Sequence, residues 1–286
     1  EEGVQLVTRN IILPLWNSFS FFSTYANADD ISFKDLEKAS PVQDRTMMDR
    51  WIISSMQSLV KTVNEKMENY YLYEVIPPLM NFVDELTNWY VRSNRKRFWK
   101  EKDENDIDKI NAFKTLHEVL LEFSKCMAPV LPFICEKIYQ GLIEEENQSI
   151  HYCNYPIAKE SLIDSELEEN IELAKKVIKS VRNLRVKLKL PNKQPLNSVK
   201  IITKDREIEN KLIVISDLIK NELNVKEVLF DFDVDNWIDY EFKPNFKILG
   251  PKLGKQINKI SEYLKNVDEI TSVSYTHLTL PTTTPV

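Results

Sequence analysis

Glycine is scarce in this chain: of 286 residues only Gly3, Gly141, Gly250 and Gly254 are glycine, and none sits in a GxGxxG or GxxxxGK[ST] spacing. A dinucleotide-binding α/β fold and a P-loop both need such a turn to bring backbone N–H groups onto phosphate, so both are excluded. Cysteine is as sparse, with Cys126, Cys135 and Cys153 standing singly and no CxxC pair. That speaks against a disulfide framework and a structural zinc, and fits a reducing, cytoplasmic compartment. Histidine is limited to His117, His151 and His277, with no HExxH, nucleophile elbow or DxDxDG loop. No catalytic residue and no metal ligand is therefore assigned; His117 reads as a helix-surface residue and His151 as part of a link. Lys, Asn or Glu interrupts every apolar stretch, so the roughly 20 apolar residues of a membrane helix are not met and no membrane partner is expected. A net charge of −6 gives the whole chain no attraction for polyanions, and nucleic-acid contact has to come from local patches. The start, Glu1-Glu2-Gly3-Val4, has neither an initiator Met nor a signal-peptide layout; the chain reads as a piece of a longer polypeptide.

What is present is helical periodicity, over a length that suits about two domains. Val4, Val7, Ile11, Ile12, Leu15 and Phe19 recur at helical spacing around Pro14, which predicts a helix that kinks or restarts. Asp29 to Ser40 reads as a polar connector. Beyond Asp44, the residues Met48, Trp51 or Ile52, Ser55, Leu59, Val63, Met67 and Tyr70 mark the core face of a long helix. A second helix follows from about Glu74, with Pro77-Pro78 in its first turn and Leu79, Phe82 or Val83, Leu86 and Tyr90 buried. A third runs from near Asn105 to Met127 and stops before Pro129; a fourth runs from Pro132 to the acidic Glu144-Glu145-Glu146. Four amphipathic segments with short connections predict a mainly α fold built on an antiparallel helical bundle.

Ser149 to Pro156 reads as an extended link, after which Asp164 caps a fifth helix carrying Leu167, Ile171, Ala174, Ile178, Val181 and Leu188. Past Pro191 the pattern changes type. Val199–Thr203, Lys226–Phe232 and Ile238–Lys243 read as strands, Ile208–Leu223 and Leu253–Lys265 as helices, together a small α/β or α+β C-terminal module. The segment 274–286 resembles the conceptual translation of a sequencing adaptor, or else a Thr/Pro-rich disordered tail.

The most distinctive stretch surrounds Trp89. Between Arg92 and Lys102 six cations stand against one anion, Glu101, with rings at Trp89, Tyr90, Phe98 and Trp99. Counted as a helix, Asn88, Arg92, Arg95 and Trp99 share one face, opposite the apolar stripe. Guanidiniums pair bidentately with phosphate and indoles stack on bases, the composition that recognition of looped RNA requires. A plainer reading stays open on the residues alone: cations offset the dipole at a helix end, and the indoles are core under arginine stems. A second basic block, Lys175, Lys176, Lys179, Arg182, Arg185, Lys187, Lys189 and Lys193, contains no acid. It suits sequence-independent, salt-sensitive contact with phosphates, and equally a helix C-terminus.

The string Leu86-Thr87-Asn88-Trp89-Tyr90-Val91-Arg92-x-Asn94-Arg95-x-Arg97-Phe98-Trp99, with Met48-Asp49-Arg50-Trp51-Ile52 before it and Met127-Ala128-Pro129-Val130-Leu131-Pro132-Phe133 after it, closely resembles the anticodon-binding helical domain of isoleucyl-tRNA synthetase, a class I aminoacyl-tRNA synthetase. Arg182-Asn183-Leu184-Arg185, Glu222-Leu223-Asn224-Val225 and Leu249-Gly250-Pro251-Lys252-Leu253-Gly254 extend the likeness to about residue 268, in a form similar to the eukaryotic and archaeal type. The resemblance implies a segment leaving the catalytic domain at 1–40, the anticodon-binding bundle with its basic fifth helix at 41–190, and the small module at 191–270. It implies a parent enzyme that joins isoleucine to tRNA(Ile) with ATP and Mg. Its catalytic and editing domains are absent from these residues, which hold no HIGH-like or KMSKS-like motif and need no cofactor of their own.

The tRNA-binding positions so implied are Asn88, Trp89, Arg92, Arg95, Lys96, Arg97, Trp99 and Lys100, then Arg182, Arg185, Lys187 and Lys189 on the basic helix. Other synthetases or scaffold proteins are partners for the C-terminal module. The runners-up are a valyl- or leucyl-tRNA synthetase fragment and a non-catalytic helical interaction module.

Overall fold

Apolar residues spaced by threes and fours make helix the default local structure, and the chain is mostly helical. The computed structural model describes residues 2–101, 106–145 and 148–232, with side chains from residue 5 onward. The helices α1 (Glu2–Val7) and α2 (Leu13–Ala28) join through a π-helical turn at Thr8–Ile12. Pro14 falls in the first turn of α2, so the wide turn ahead of it carries the helix past the ring without a restart. The expected polar connector contains a short helix, α3 (Phe33–Glu37). Its capping box escaped the periodicity count: Ser32 Oγ accepts from the Asp35 N–H at 3.2 Å, and the Asp35 carboxylate accepts from the Ser32 N–H at 3.1 Å.

The long helix is α4 (Met47–Glu68), with Thr46 as its N-cap. The second predicted helix is α5 (Ile76–Asp84), a π-helical turn at Glu85–Val91, and α6 (Arg92–Trp99). Then come α7 (Ile107–Met127), α8 (Pro132–Gln140) and α9 (Ser165–Lys187), the last capped by Asp164, whose carboxylate accepts from the Leu167 N–H at 3.0 Å. A 3-10 turn at Ile150–Tyr152 interrupts the link.

α4 packs on α5, α7 and α9, and α7 packs on α2, α3, α6 and α8. Trp51, Leu79, Phe82, Leu86, Tyr90, Phe98, Phe113 and Phe123 are all buried between them. Phe82 stacks on Phe123 at 5.3 Å, and Phe98 meets Phe113 edge-on at 4.9 Å. Two residues depart from expectation. Tyr70 ends the stripe of α4 86% exposed, in a left-handed turn at φ 61°. His117 is buried rather than on a helix surface, its Nε2–H donating to the Leu142 carbonyl at 2.8 Å. Burial lowers its pKa, only partly offset by that hydrogen bond, so it is neutral at pH 7.

The described residues fall into two compact units, one within 2–196 and 211–226 and the other within 197–210 and 227–232. Strand β1 (Leu196–Ile202) is followed by α10 (Arg206–Val214), α11 (Ser216–Leu223) and β2 (Val225–Asp231). The single helix expected at 208–223 is thus two, because Ile215 leaves helical geometry at φ −109°, ψ 15°. β1 and β2 pair as a two-stranded parallel sheet. The strand expected at 238–243, the helix at 253–265 and the tail at 274–286 lie outside the described residues.

Leu86→Ala should lower the unfolding free energy by roughly 2–5 kcal/mol in a denaturant titration, since the side chain is fully buried. His117 gives a pH dependence. The unfolded imidazole takes up a proton near pH 6.5 while the buried one resists, so stability is complete above that pH and falls as pH drops below it. Thermal melts between pH 7 and pH 5 should show this loss in the parent chain and a smaller one in His117→Gln.

Candidate nucleic-acid interface

The π-helical turn at Glu85–Val91 and the polar face of α6 fix where the Trp89 string points. Asn88 is exposed and donates from Nδ2 to Asp84 at 2.6 Å. Arg95 and Lys96 are exposed and have no ion-pair partner among the described residues. Trp99 beside them is 54% exposed. Lys100 is exposed and lies 3.5 Å from both Asp106 and Asp108.

Arg97 is different. Its guanidinium holds both oxygens of Asp49 at 2.8 Å, the Asn94 side-chain oxygen at 3.0 Å and the Asp108 carbonyl at 2.9 Å. Asp49 is fully buried and also accepts from the Tyr90 hydroxyl at 2.6 Å. Burial works against the Arg97 charge, but the hydrogen bonds and charge of Asp49 outweigh it and hold its pKa above the ordinary value. Arg97 therefore belongs to the interior and not to an RNA-facing edge, because Asp49 would otherwise be a buried, uncompensated charge.

On α9, Arg185 is the second correction. It is 2% exposed and donates to the carbonyls of Pro191, Gln194 and Leu223 at 2.9, 3.0 and 2.9 Å, closing the chain that follows the helix. Its two terminal nitrogens thus serve three backbone oxygens that would otherwise be left without a partner. Lys176, Lys179, Lys187 and Lys189 are exposed, with no ion-pair partner among the described residues.

Trp89 is half-buried and ringed by cations: Arg92, Lys175 and Arg182 lie 5.6, 5.8 and 6.0 Å from its ring centre. Lys175 also sits 4.7 Å over Trp51 and 2.5 Å from Glu85. Arg92 and Arg182 both donate to the same oxygen of Glu222, whose other oxygen accepts from the Ser93 hydroxyl at 2.6 Å. Burial pulls the Arg92 guanidinium below its ordinary pKa, Glu222 opposing and Arg182 and Arg95 adding. Two grooves adjoin this cluster. One of 780 Å³ is lined by Trp89, Lys175, Lys176, Lys179, Arg182 and Glu172. The other, of 810 Å³, is lined by Arg92, Arg95, Lys96, Trp99, Asn221 and Glu222.

Sequence reasoning placed Arg92 and Arg182 in separate blocks and did not see that one carboxylate joins them. Glu222 stands 130 residues from Arg92, and no local pattern signals a contact at that separation. Among the described residues no three His, Cys, Asp or Glu side chains come together as metal ligands. Burial raises the Cys126 and Cys135 thiols to about 11 and about 12, so neither is a thiolate at neutral pH.

A family described as the anticodon-binding domain of tRNA ligase matches residues 49–201. The chain belongs to this anticodon-binding domain family. Among curated relatives, the isoleucine–tRNA ligase of Treponema denticola is 39% identical over 278 residues, covering 94% of this chain and 25% of the relative. Those of Clostridium novyi and Clostridium kluyveri are 39% and 38% identical over 274 residues, each covering 94% of this chain and 25% and 26% of the relative. The chain thus spans about a quarter of the length of the curated relatives it matches. All three organisms are bacteria, which lends no support to the expected eukaryotic and archaeal type. No helix among the described residues is long and apolar enough to cross a membrane.

In this anticodon-binding domain the matched segment contains both the buried Asp49–Tyr90–Arg97 network and the exposed Arg95–Lys96–Trp99 edge. The two should separate cleanly by mutation. Arg97→Ala should cost about 3–5 kcal/mol of stability as the broken half of a buried pair. Arg95→Ala should stay within about 0.5 kcal/mol of the parent in the same denaturant titration.

Proposed function

We propose that this chain is the part of an isoleucine–tRNA ligase that grips the anticodon stem-loop of tRNA(Ile). The observation that carries the reading is the exposed indole of Trp99 beside Arg95 and Lys96, which have no ion-pair partner among the described residues, over a groove of 810 Å³. A large aromatic left in water next to free guanidinium and ammonium groups is suited to stack an unpaired base while the cations meet phosphates. Asn88 and Trp89 flank that edge, and Lys176, Lys179, Arg182, Lys187 and Lys189 continue the positive charge along α9. The identity of the relatives as isoleucine–tRNA ligases favours tRNA(Ile) over a valine or leucine counterpart.

The helices are proposed to form an antiparallel bundle. Supporting this, Arg97 near the end of α6 meets Asp49 near the start of α4. Joining isoleucine to tRNA, with ATP and Mg, is assigned to other parts of the parent enzyme in the cytoplasm. Binding energy gathered at the anticodon can still raise the rate there by holding the acceptor end in place.

The test is binding of a tRNA(Ile) transcript to the 286-residue chain at low and moderate salt. Affinity should fall as salt rises. Arg95→Ala combined with Lys96→Ala should weaken binding at unchanged melting temperature. The slope of log affinity against log salt should become shallower by about 1 for each phosphate that is no longer neutralised. No binding at low salt overturns the reading and leaves a helical interaction module.

A further inference from the structure

We infer that Glu222 is a positioning residue for RNA recognition: one carboxylate holds Arg92 and Arg182 in place beside Trp89. This rests on the proposed RNA-binding role. The family match ends at residue 201, so it assigns nothing to Glu222.

The geometry has three parts. Arg92 on α6 and Arg182 on α9 donate to one oxygen of Glu222, and the Ser93 hydroxyl fixes the other oxygen at 2.6 Å. The Glu222 side chain is only 9% exposed, while those of Arg92 and Arg182 are 36% and 26% exposed. The anion therefore lies beneath and the cations toward water. Trp89 closes the arrangement from the side, with the two guanidinium carbons 5.6 and 6.0 Å from its ring centre.

Each part has a consequence. Two guanidiniums this close repel, and each long side chain has rotamer freedom to lose. A shared anion removes the repulsion and spends that freedom before any ligand arrives, which is preorganisation. A guanidinium has five N–H donors, and Arg92 directs a single nitrogen to Glu222. Its remaining donors have no protein partner among the described residues and border the groove that holds Trp99, while Arg182 borders the groove along α9. The pair thus stands between the two grooves, where a phosphate passing from one to the other would meet donors already aimed.

The sign of the effect separates positioning from simple charge. Glu222→Gln removes a negative charge next to the RNA path, and electrostatics alone would tighten binding. Positioning predicts the opposite: the tRNA(Ile) transcript should bind the Glu222→Gln chain about tenfold more weakly, the scale of one hydrogen bond to a charged group. In the Arg92→Ala, Arg182→Ala background the same substitution should change affinity little, because Glu222 acts through those two side chains. Arg182→Lys keeps the charge but loses the planar fork, and should weaken binding similarly; it tests the arrangement without touching Glu222. Equal or tighter binding by Glu222→Gln, an undiminished effect in the double-arginine background, or unaltered binding by Arg182→Lys overturns the inference while leaving the RNA-binding role intact. Failure of the unaltered chain to bind overturns both.

Discussion

A carboxylate sealed from water sets the frame of this domain. Asp49 is fully buried near the start of α4, and its two oxygens are held by the two-pronged contact with Arg97 and the hydroxyl of Tyr90. An isolated buried charge would cost several kcal/mol, so once Asp49 lies inside, α6 and the turn before it can sit in only one way. Arg97 extends the network to the backbone of α7 at Asp108. Three elements are thereby locked around one anion, and the outward residues of α6 inherit their directions from that lock.

The second theme is how an acidic chain divides its cations. Arg97 and Arg185 neutralise or bridge interior oxygens, Arg92, Lys175 and Arg182 press against the Trp89 indole, and Arg95, Lys96, Lys176 and Lys179 face water. The last set, like Lys187 and Lys189, and the part-exposed pair held by Glu222 can meet an external anion without first giving up an internal one. Counting positive charges along a sequence therefore overstates an RNA-binding surface. Here it merged structural arginines with exposed ones inside a single run of eleven residues.

Much of the helical framework was legible from spacing. Leu79, Phe82 or Val83, Leu86 and Tyr90 were read as one buried stripe; all five are buried, although a π-helical turn runs through the second half. Asp164 was read as a cap and is one. What spacing missed was local chemistry that competes with periodicity: the Ser32–Asp35 capping box inside a polar stretch, and the break at Ile215 within an apolar run. His117 was misplaced because a polar ring can be buried when one backbone carbonyl accepts a hydrogen bond from its N–H, and no pattern of neighbours announces that carbonyl at Leu142. The exposed edge of Arg95 and Trp99 was foreseen as a shared face. Which arginines of the string turn inward was not.

By itself the sequence determined that the chain folds into amphipathic helices, that it lacks glycine-rich phosphate loops, and that its cations cluster near tryptophans, because these follow from residue type and short-range period. Only the tertiary structure decided which carboxylate each arginine meets. Asp49 and Arg97 are 48 residues apart and Glu222 and Arg92 are 130 apart, and charge pairing depends on distance in space, which helix packing sets and local spacing does not encode.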